Sequence, residues 1–353
     1  MQGIHGGDIY TNEIKIDFSV NVNPFGVPKG VQAALYKAVE NCNQYPDIQS
    51  IKLKKEVAEY LSIPKECLIF GNGASEIFMG IMHAIMPRKV LLPVPSFYGY
   101  EYVANAVKSE IIYFPLEKEN EFIPGEKILE ELTEDIELLF IANPNNPTGK
   151  KMESCYLKRL LDICKNKGIY VVLDECFIHF CEGDGSLVSL IGEYSNLLLV
   201  QAFTKIYAIP GVRLGFLISS DKRLLHKIAK QLPEWNLSVF AQEAGIACTK
   251  EKRYIDETIG YVKRERIFLS EQLEKMGIVV FEGEGNFILI YTEESLYELL
   301  LERGILIRDC QNFRGLSKGY YRIAVRKREE NEILLREIGE CLAVNRTIIT
   351  RRN

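Results

Sequence analysis

No run of apolar residues in this chain approaches the ~18 that a membrane-crossing helix needs, and its first ten residues, MQGIHGGDIY, hold no cationic stretch followed by an apolar core. These absences argue against a membrane span and a secretory leader, and the expectation is a cytoplasmic protein. Histidine is scarce, four in 353 residues, while the nine cysteines are odd in number and nowhere spaced C-x-x-C. That combination argues against a structural metal site and against a disulfide framework, leaving free thiols in a reducing compartment. Excess positive charge is missing as well, with 43 Lys and Arg against 48 Asp and Glu and a formal net charge of -5. Nucleic acid and membrane surfaces are therefore not expected partners. The densest basic cluster, RIAVRKREENE, is interrupted by acids and reads as a strand end leading into a solvated helix start. Internal repeats and low-complexity tracts are also absent.

What is present is abundant apolar material, 47% of 353 residues, more than one small core requires. From about Lys65 to Ser219, short apolar runs bounded by Gly, Pro or Asn alternate with helical patterns: CLIFGNG, KVLLPVP, EIIYFP, ELLFIANP, GIYVVLDE, NLLLVQAF and VRLGFLIS. This alternation predicts an α/β fold with a mostly parallel sheet covered by helices on both faces. After about Leu232 come long amphipathic helices, then strands IVVFEG and NFILIY, a helix, strands near GILIRD and GYYRIAV, and a closing helix over 329–344. The expected organisation is an N-terminal arm over 1–30, a large domain over 31–235 and a smaller α+β domain over 236–353.

In a parallel sheet ligands collect at the carboxyl ends of the strands. Those ends carry Gly71-Asn72-Gly73, Pro95-Ser96-Phe97, the 143–149 turn, Asp174-Glu175 and Thr204-Lys205. A lysine desolvated at such an edge has a lowered pKa and a nucleophilic amine suited to Schiff-base chemistry, although a strand-end lysine can equally snorkel to solvent. Asp174 there either caps a turn or pairs with a cationic ring nitrogen. ANPNNPTGK folds two X-Pro steps and a glycine into a turn that presents Asn146. FGNGASEIF reads as strand, turn and helix start, offering free N–H groups at Gly73, Ala74 and Ser75 to a phosphate, unless Ser75 only caps its helix. Thr204 and Arg213 would add a hydroxyl and a charged fork to the same anion.

The lysine, the arginine eight residues on, the aspartate about thirty residues before and the N-P-T-G turn before that resemble, in order, the signature of aspartate-aminotransferase-like enzymes of fold type I. Those enzymes use pyridoxal 5'-phosphate, and the likeness extends over nearly the whole chain. Within the family the chain is most similar to the cobalamin-pathway L-threonine-O-3-phosphate decarboxylases, on HGG at 5–7, DFSVNVNPFGVP, YPD, FTKIYAIPGVRLGF and above all ILIRDCQNFRGLSKGYYRIAVR. It is next most similar to the histidinol-phosphate aminotransferases. The aminotransferases usually carry D-E-A-Y, whose tyrosine meets the cofactor's ring oxygen, where this chain reads Asp174-Glu175-Cys176-Phe177.

The resemblance implies that Lys205 bonds the cofactor, Asp174 partners the pyridinium nitrogen, Asn146 holds the ring oxygen and Phe97 stacks on the ring. It places the cofactor phosphate on Gly73, Ala74, Ser75, Thr204, Arg213 and a Tyr45 lent by the neighbouring subunit of a homodimer. Arg322 would take the substrate carboxylate or its surroundings, and Arg308 and His5 the substrate phosphate. The implied activity is decarboxylation of L-threonine O-3-phosphate, with histidinol-phosphate amination as the alternative. A ligand sensor of transcription would need an added DNA-binding domain, for which the arm is too short. One position departs from the pattern: three residues before the lysine, where relatives often place Ser or Thr on the phosphate, this chain has Ala202.

Overall fold

The structure, a computed structural model, describes residues 5–183 and 185–350, the side chains of 344–350 excepted. Its strands in chain order are β1 Ile16–Asp17, β2 Leu68–Gly71, β3 Lys89–Val94, β4 Glu110–Pro115, β5 Leu138–Ala142, β6 Tyr170–Asp174, β7 Leu197–Ala202 and β8 Gly215–Ile218. There follow β9 Val279–Phe281, β10 Phe287–Tyr291, β11 Ile305–Leu306, β12 Arg308–Asp309 and β13 Tyr320–Ala324. All seven apolar runs expected as strands join one sheet, in the order β2-β8-β7-β6-β5-β3-β4. The pairs from β7 through β6, β5 and β3 to β4 are parallel, whereas β8 runs antiparallel to both β2 and β7.

The parallel strands are written as unbroken apolar runs because each is covered on both faces. Every residue of β5 and of β7 is buried. Alternate side chains feed two cores: Phe140, Val172, Leu198 and Leu217 pack under the helices Ala74–Ile85 and Tyr98–Ala106. Leu139, Leu173, Leu199 and Phe216 pack on the opposite side.

The antiparallel β8 matters for the site. Its register sets Gly71 opposite Gly215 and Ala202 opposite that same Gly215. The β7–β8 connection, which holds Lys205 and Arg213, therefore lies directly beside the turn that follows β2.

A second sheet, β12-β13-β10-β9, is antiparallel throughout. Here the structure departs from the single strand expected near GILIRD. The segment divides at Ile307: β11 leaves to pair in parallel with β1 of the arm, while β12 stays in the small sheet, paired with β13. The arm thus contributes β1 to a two-stranded ladder. The closing helix spans Arg328–Thr350, longer than expected, because no Gly or Pro follows Gly339 to end it.

Candidate active site

A cavity of about 580 Å³ opens at the carboxyl end of the large sheet, between that sheet, the arm and the 308–322 segment. Lys205, Asp174, Asn146, Phe97, Ala74, Ser75, Thr204, Arg213, His5, Arg308 and Arg322 all line it. Two expected residues do not. Gly73 stands just behind the wall, and Tyr45 is 81% exposed with its ring 5.1 Å from that of Trp235.

Lys205 lies in the short helical turn Phe203–Ile206, which follows β7 without a break. Burial, then the nearby Arg322 guanidinium, bring its amine down to about 8. About a tenth of the side chains are then neutral at pH 7, against fewer than one in a thousand for an ordinary lysine.

Asp174 ends β6 fully inside the protein. Its Oδ2 accepts from Tyr100 Oη at 2.5 Å and its Oδ1 from the Cys176 backbone N–H at 2.9 Å. Burial raises its pKa, and the two hydrogen bonds oppose the rise. Among the described residues it forms no ion pair. A buried carboxylate facing a cavity without a cation of its own is a receptor for one.

The anion end is built by the turn after β2. Gly73 has φ +81 and is the N-terminal boundary of the helix Ala74–Ile85, with no side-chain cap on the free N–H groups. Ser75 is therefore not a cap. A Cβ at Gly73 would stand 2.5 Å from Arg213 Nη2 and push the guanidinium aside, and the positive φ itself favours glycine there. Arg213 itself holds φ +62, an uncommon conformation for a side-chain-bearing residue, and donates to Asn72 O at 3.4 Å. The guanidinium, the helix N-terminus and the buried Thr204 converge from three elements. Ala202 lines the same wall with only a methyl group.

The opposite wall is cationic. Arg308 and Arg322 face each other in register across β12 and β13, and both are buried. Arg322 donates to Asn146 Oδ1 and, at 2.8 Å, to the carbonyl of Ser19. Burial brings it down to about 10. Arg308 donates to the Asp309 carbonyl at 2.7 Å and to Asn312 Oδ1 at 2.8 Å, so it is not a surface ion pair with the Asp309 carboxylate. His5 lies over the mouth, its ring 6.0 Å from that of Phe97, and burial together with Arg308 lowers its pKa.

Sequence reasoning missed Tyr100 as the partner of Asp174, and Ser19 as the anchor of Arg322. Nothing local marks Tyr100 within the aromatic string SFYGYEY. Ser19 acts through its backbone, which no residue type reveals.

A lysine with a depressed pKa, an unpaired buried carboxylate and an anion cradle at one sheet edge make up the receptor of a cofactor that carries an aldehyde, a basic ring nitrogen and a phosphate. The donor set fits pyridoxal 5'-phosphate. The family model described as aminotransferase class I and II matches residues 13–338, and the chain belongs to that family of pyridoxal-phosphate enzymes.

Within it, the chain is 30% identical to the threonine-phosphate decarboxylase of Salmonella typhimurium over 96% of each chain. It is 32% identical to the adenosylcobalamin biosynthesis bifunctional protein of Leptospira interrogans, over 94% of this chain and 40% of that longer protein. Among solved structures, the histidinol-phosphate aminotransferase of Clostridium acetobutylicum superposes with a TM-score of 0.88 at 32% identity, over 93% of this chain and 99% of that one.

Proposed function

We propose that the chain decarboxylates L-threonine O-3-phosphate to (R)-1-aminopropan-2-ol O-phosphate for adenosylcobalamin synthesis. The observation that carries this reading is the pair of buried guanidiniums, Arg308 and Arg322, in the cavity that holds Lys205. A substrate with a carboxylate and a phosphate matches two such cations, and the planar fork of each favours oxyanions. Phe177 supports the same reading, because its ring packs on Phe287 at 5.0 Å and offers the cofactor no phenol.

Pyridoxal 5'-phosphate, when bound, supplies the sink for negative charge that develops at the substrate Cα. Asp174, pinned by Tyr100, holds a proton on the ring nitrogen, while Asn146 takes the ring oxygen and Phe97 covers the ring. Gly73, Ala74 and Ser75 give backbone N–H groups to the cofactor phosphate, joined by Thr204 and Arg213. Arg322, fixed by the Ser19 carbonyl, orients the carboxylate end, and Arg308 with His5 takes the phosphate of the substrate. By gripping the carboxylate and the phosphate at separate places, these three residues would fix the rotation of the substrate about Cα and so select which of its bonds is cleaved. Lys205 is the amine that would hold the cofactor's aldehyde, and its Nζ is placed to deliver a proton to the substrate Cα.

The working form is a cytoplasmic homodimer with Tyr45 reaching the partner's cofactor phosphate. The exposure of Tyr45, together with exposed Tyr36, Val39, Ile48 and Ile51 on neighbouring segments, supports a covered face there. The division into an arm over 1–30 and domains over 31–235 and 236–353 belongs to the same proposal, each larger sheet falling within one of the two domains.

The test is CO2 release from L-threonine O-3-phosphate by the pyridoxal-phosphate-loaded protein. No CO2, together with rapid glutamate-dependent amination of imidazole-acetol phosphate, refutes the decarboxylase reading in favour of histidinol-phosphate aminotransferase.

A further inference from the structure

Asn23 is buried, distant in sequence from every residue it touches outside the arm, and unused by the mechanism above. Its backbone N–H donates to the carbonyl of Lys205 at 3.0 Å. Its Nδ2 donates to the carbonyl of Ile206 and to Thr258 Oγ1, each at 2.8 Å, and its Oδ1 accepts from the Phe25 N–H at 3.0 Å. Both ends of the amide are therefore occupied. The Thr258 hydroxyl spends its own hydrogen on the Tyr254 carbonyl at 2.7 Å, within the helix Lys252–Lys275, which leaves it an acceptor for Asn23.

The Phe203–Ile206 turn needs such a support. It is four residues long, and a single helical turn has too few internal bonds to hold its own shape. Closing bonds run from the Tyr207, Ala208 and Ile209 amides back to Phe203, Lys205 and Thr204. Asn23 grips this turn from outside at two successive carbonyls and ties it to a helix that belongs to neither sheet. The same stretch of the arm receives Arg322 at the Ser19 carbonyl, so the chain from Ser19 to Asn23 links the substrate-facing arginine with the lysine turn.

We propose that Asn23 is a positioning residue that sets where Lys205 presents its amine. The inference rests on Lys205 being the residue that bonds the cofactor. An aspartate cannot replace Asn23, because it would aim a carboxylate oxygen, with no hydrogen to donate, at the Ile206 carbonyl. Thr258→Val keeps the shape of its partner and removes the acceptor that Asn23 uses, along with the hydroxyl's own bond to the Tyr254 carbonyl inside the helix.

The test compares the cofactor-loaded protein with its Asn23→Ala, Asn23→Asp, Thr258→Val and Lys205→Ala variants. Three quantities are read: the pH midpoint of the visible absorption band formed with Lys205, the hydrogen exchange of the Tyr207, Ala208 and Ile209 amides, and kcat apart from KM. Asn23→Ala is expected to shift the midpoint upward by releasing the constraint on Nζ, speed exchange of the three amides, and lower kcat on the order of tenfold with KM nearly unchanged. Asn23→Asp does not restore these values, and Thr258→Val shifts them in the same direction by less. A midpoint and an exchange rate that stay at the parent values in Asn23→Ala, or in Thr258→Val should the first variant not fold, overturn the proposal even if thermal stability falls. A visible band that persists in Lys205→Ala instead overturns the assignment of the lysine.

Discussion

Replacing Tyr100 by phenylalanine isolates one hydrogen bond at the centre of the site. The tyrosine ring is buried, stacked on Phe140 at 5.0 Å and edge-on to Phe78 at 5.2 Å and Phe97 at 5.6 Å, so the aromatic packing survives the change. What disappears is the 2.5 Å bond from Tyr100 Oη to Asp174 Oδ2. Burial and the adjacent carboxylate hold the phenol far above its ordinary pKa, so it donates at every working pH.

A hydrogen bond to a charged group contributes about 1.5–3 kcal/mol, and one pKa unit corresponds to about 1.4 kcal/mol, so Asp174 should titrate about one to two units higher in the variant. The sign follows from the causes: burial raises this carboxyl, and Tyr100 is one of the contacts that lower it. In the proposed role the ionised form keeps the ring nitrogen protonated, so the acidic limb of the kcat/KM profile should move upward by about one unit or more. Activity on the alkaline side should change less. Profiles of the cofactor-loaded protein from pH 5 to 9 measure the shift directly. A limb that stays within about 0.3 unit of the parent, or a loss equal at all pH values, would refute the role given to this bond.

Glu175, next to Asp174, is buried and accepts from Ser186, Leu187 N–H and Gln201; burial raises it to about 7. Its share of stability is therefore full below about pH 4.5 and lost as pH rises through 7, and Glu175→Gln should remove about 3 kcal/mol of the fall in cofactor-free stability over that window. Urea denaturation at pH 5 and 8 decides it, parallel losses in parent and variant being the contrary result. Gly73→Ala should weaken pyridoxal-phosphate binding about tenfold, because the added Cβ displaces the Arg213 guanidinium and a charged hydrogen bond is worth about 1.5–3 kcal/mol, read by fluorescence titration. Unchanged affinity would remove Arg213 from the phosphate. Ala202→Ser adds a hydroxyl to the cavity wall and should tighten the same binding about fivefold, the equivalent of ~1 kcal/mol. An unchanged or weaker titration would mean that the phosphate does not reach β7.

The large sheet was legible because strands covered on both faces leave a signature inside the chain itself, seven apolar runs closed by turn residues. The lysine, the aspartate and the N-P-T-G turn were legible for a related reason, since each ends such a run. Strand breaks at the small sheet were not. Whether GILIRD stays one strand or divides at Ile307 depends on the arm supplying β1 as a second partner, and no window of sequence contains both. Arg308 illustrates the consequence: the resemblance named it, but only the division at Ile307 shows that it is buried and opposite Arg322.

The amino-acid sequence alone determined the class of fold, the edge of the sheet where the cavity opens and the residue types that line it. Those properties are local, set by hydrophobic period, turn chemistry and short spacings that survive without knowledge of neighbours. Only the tertiary structure decided which groups tune them. Tyr100 meets Asp174 across 74 positions, and Asn23 meets Ile206 and Thr258 across 183 and 235. The physical reason is the parallel order β3-β5-β6, which sets the helix Tyr98–Ala106 over the end of β6, and the crossing arm; they bring together side chains and carbonyls whose value as partners depends on burial and direction, and neither is encoded by residue type.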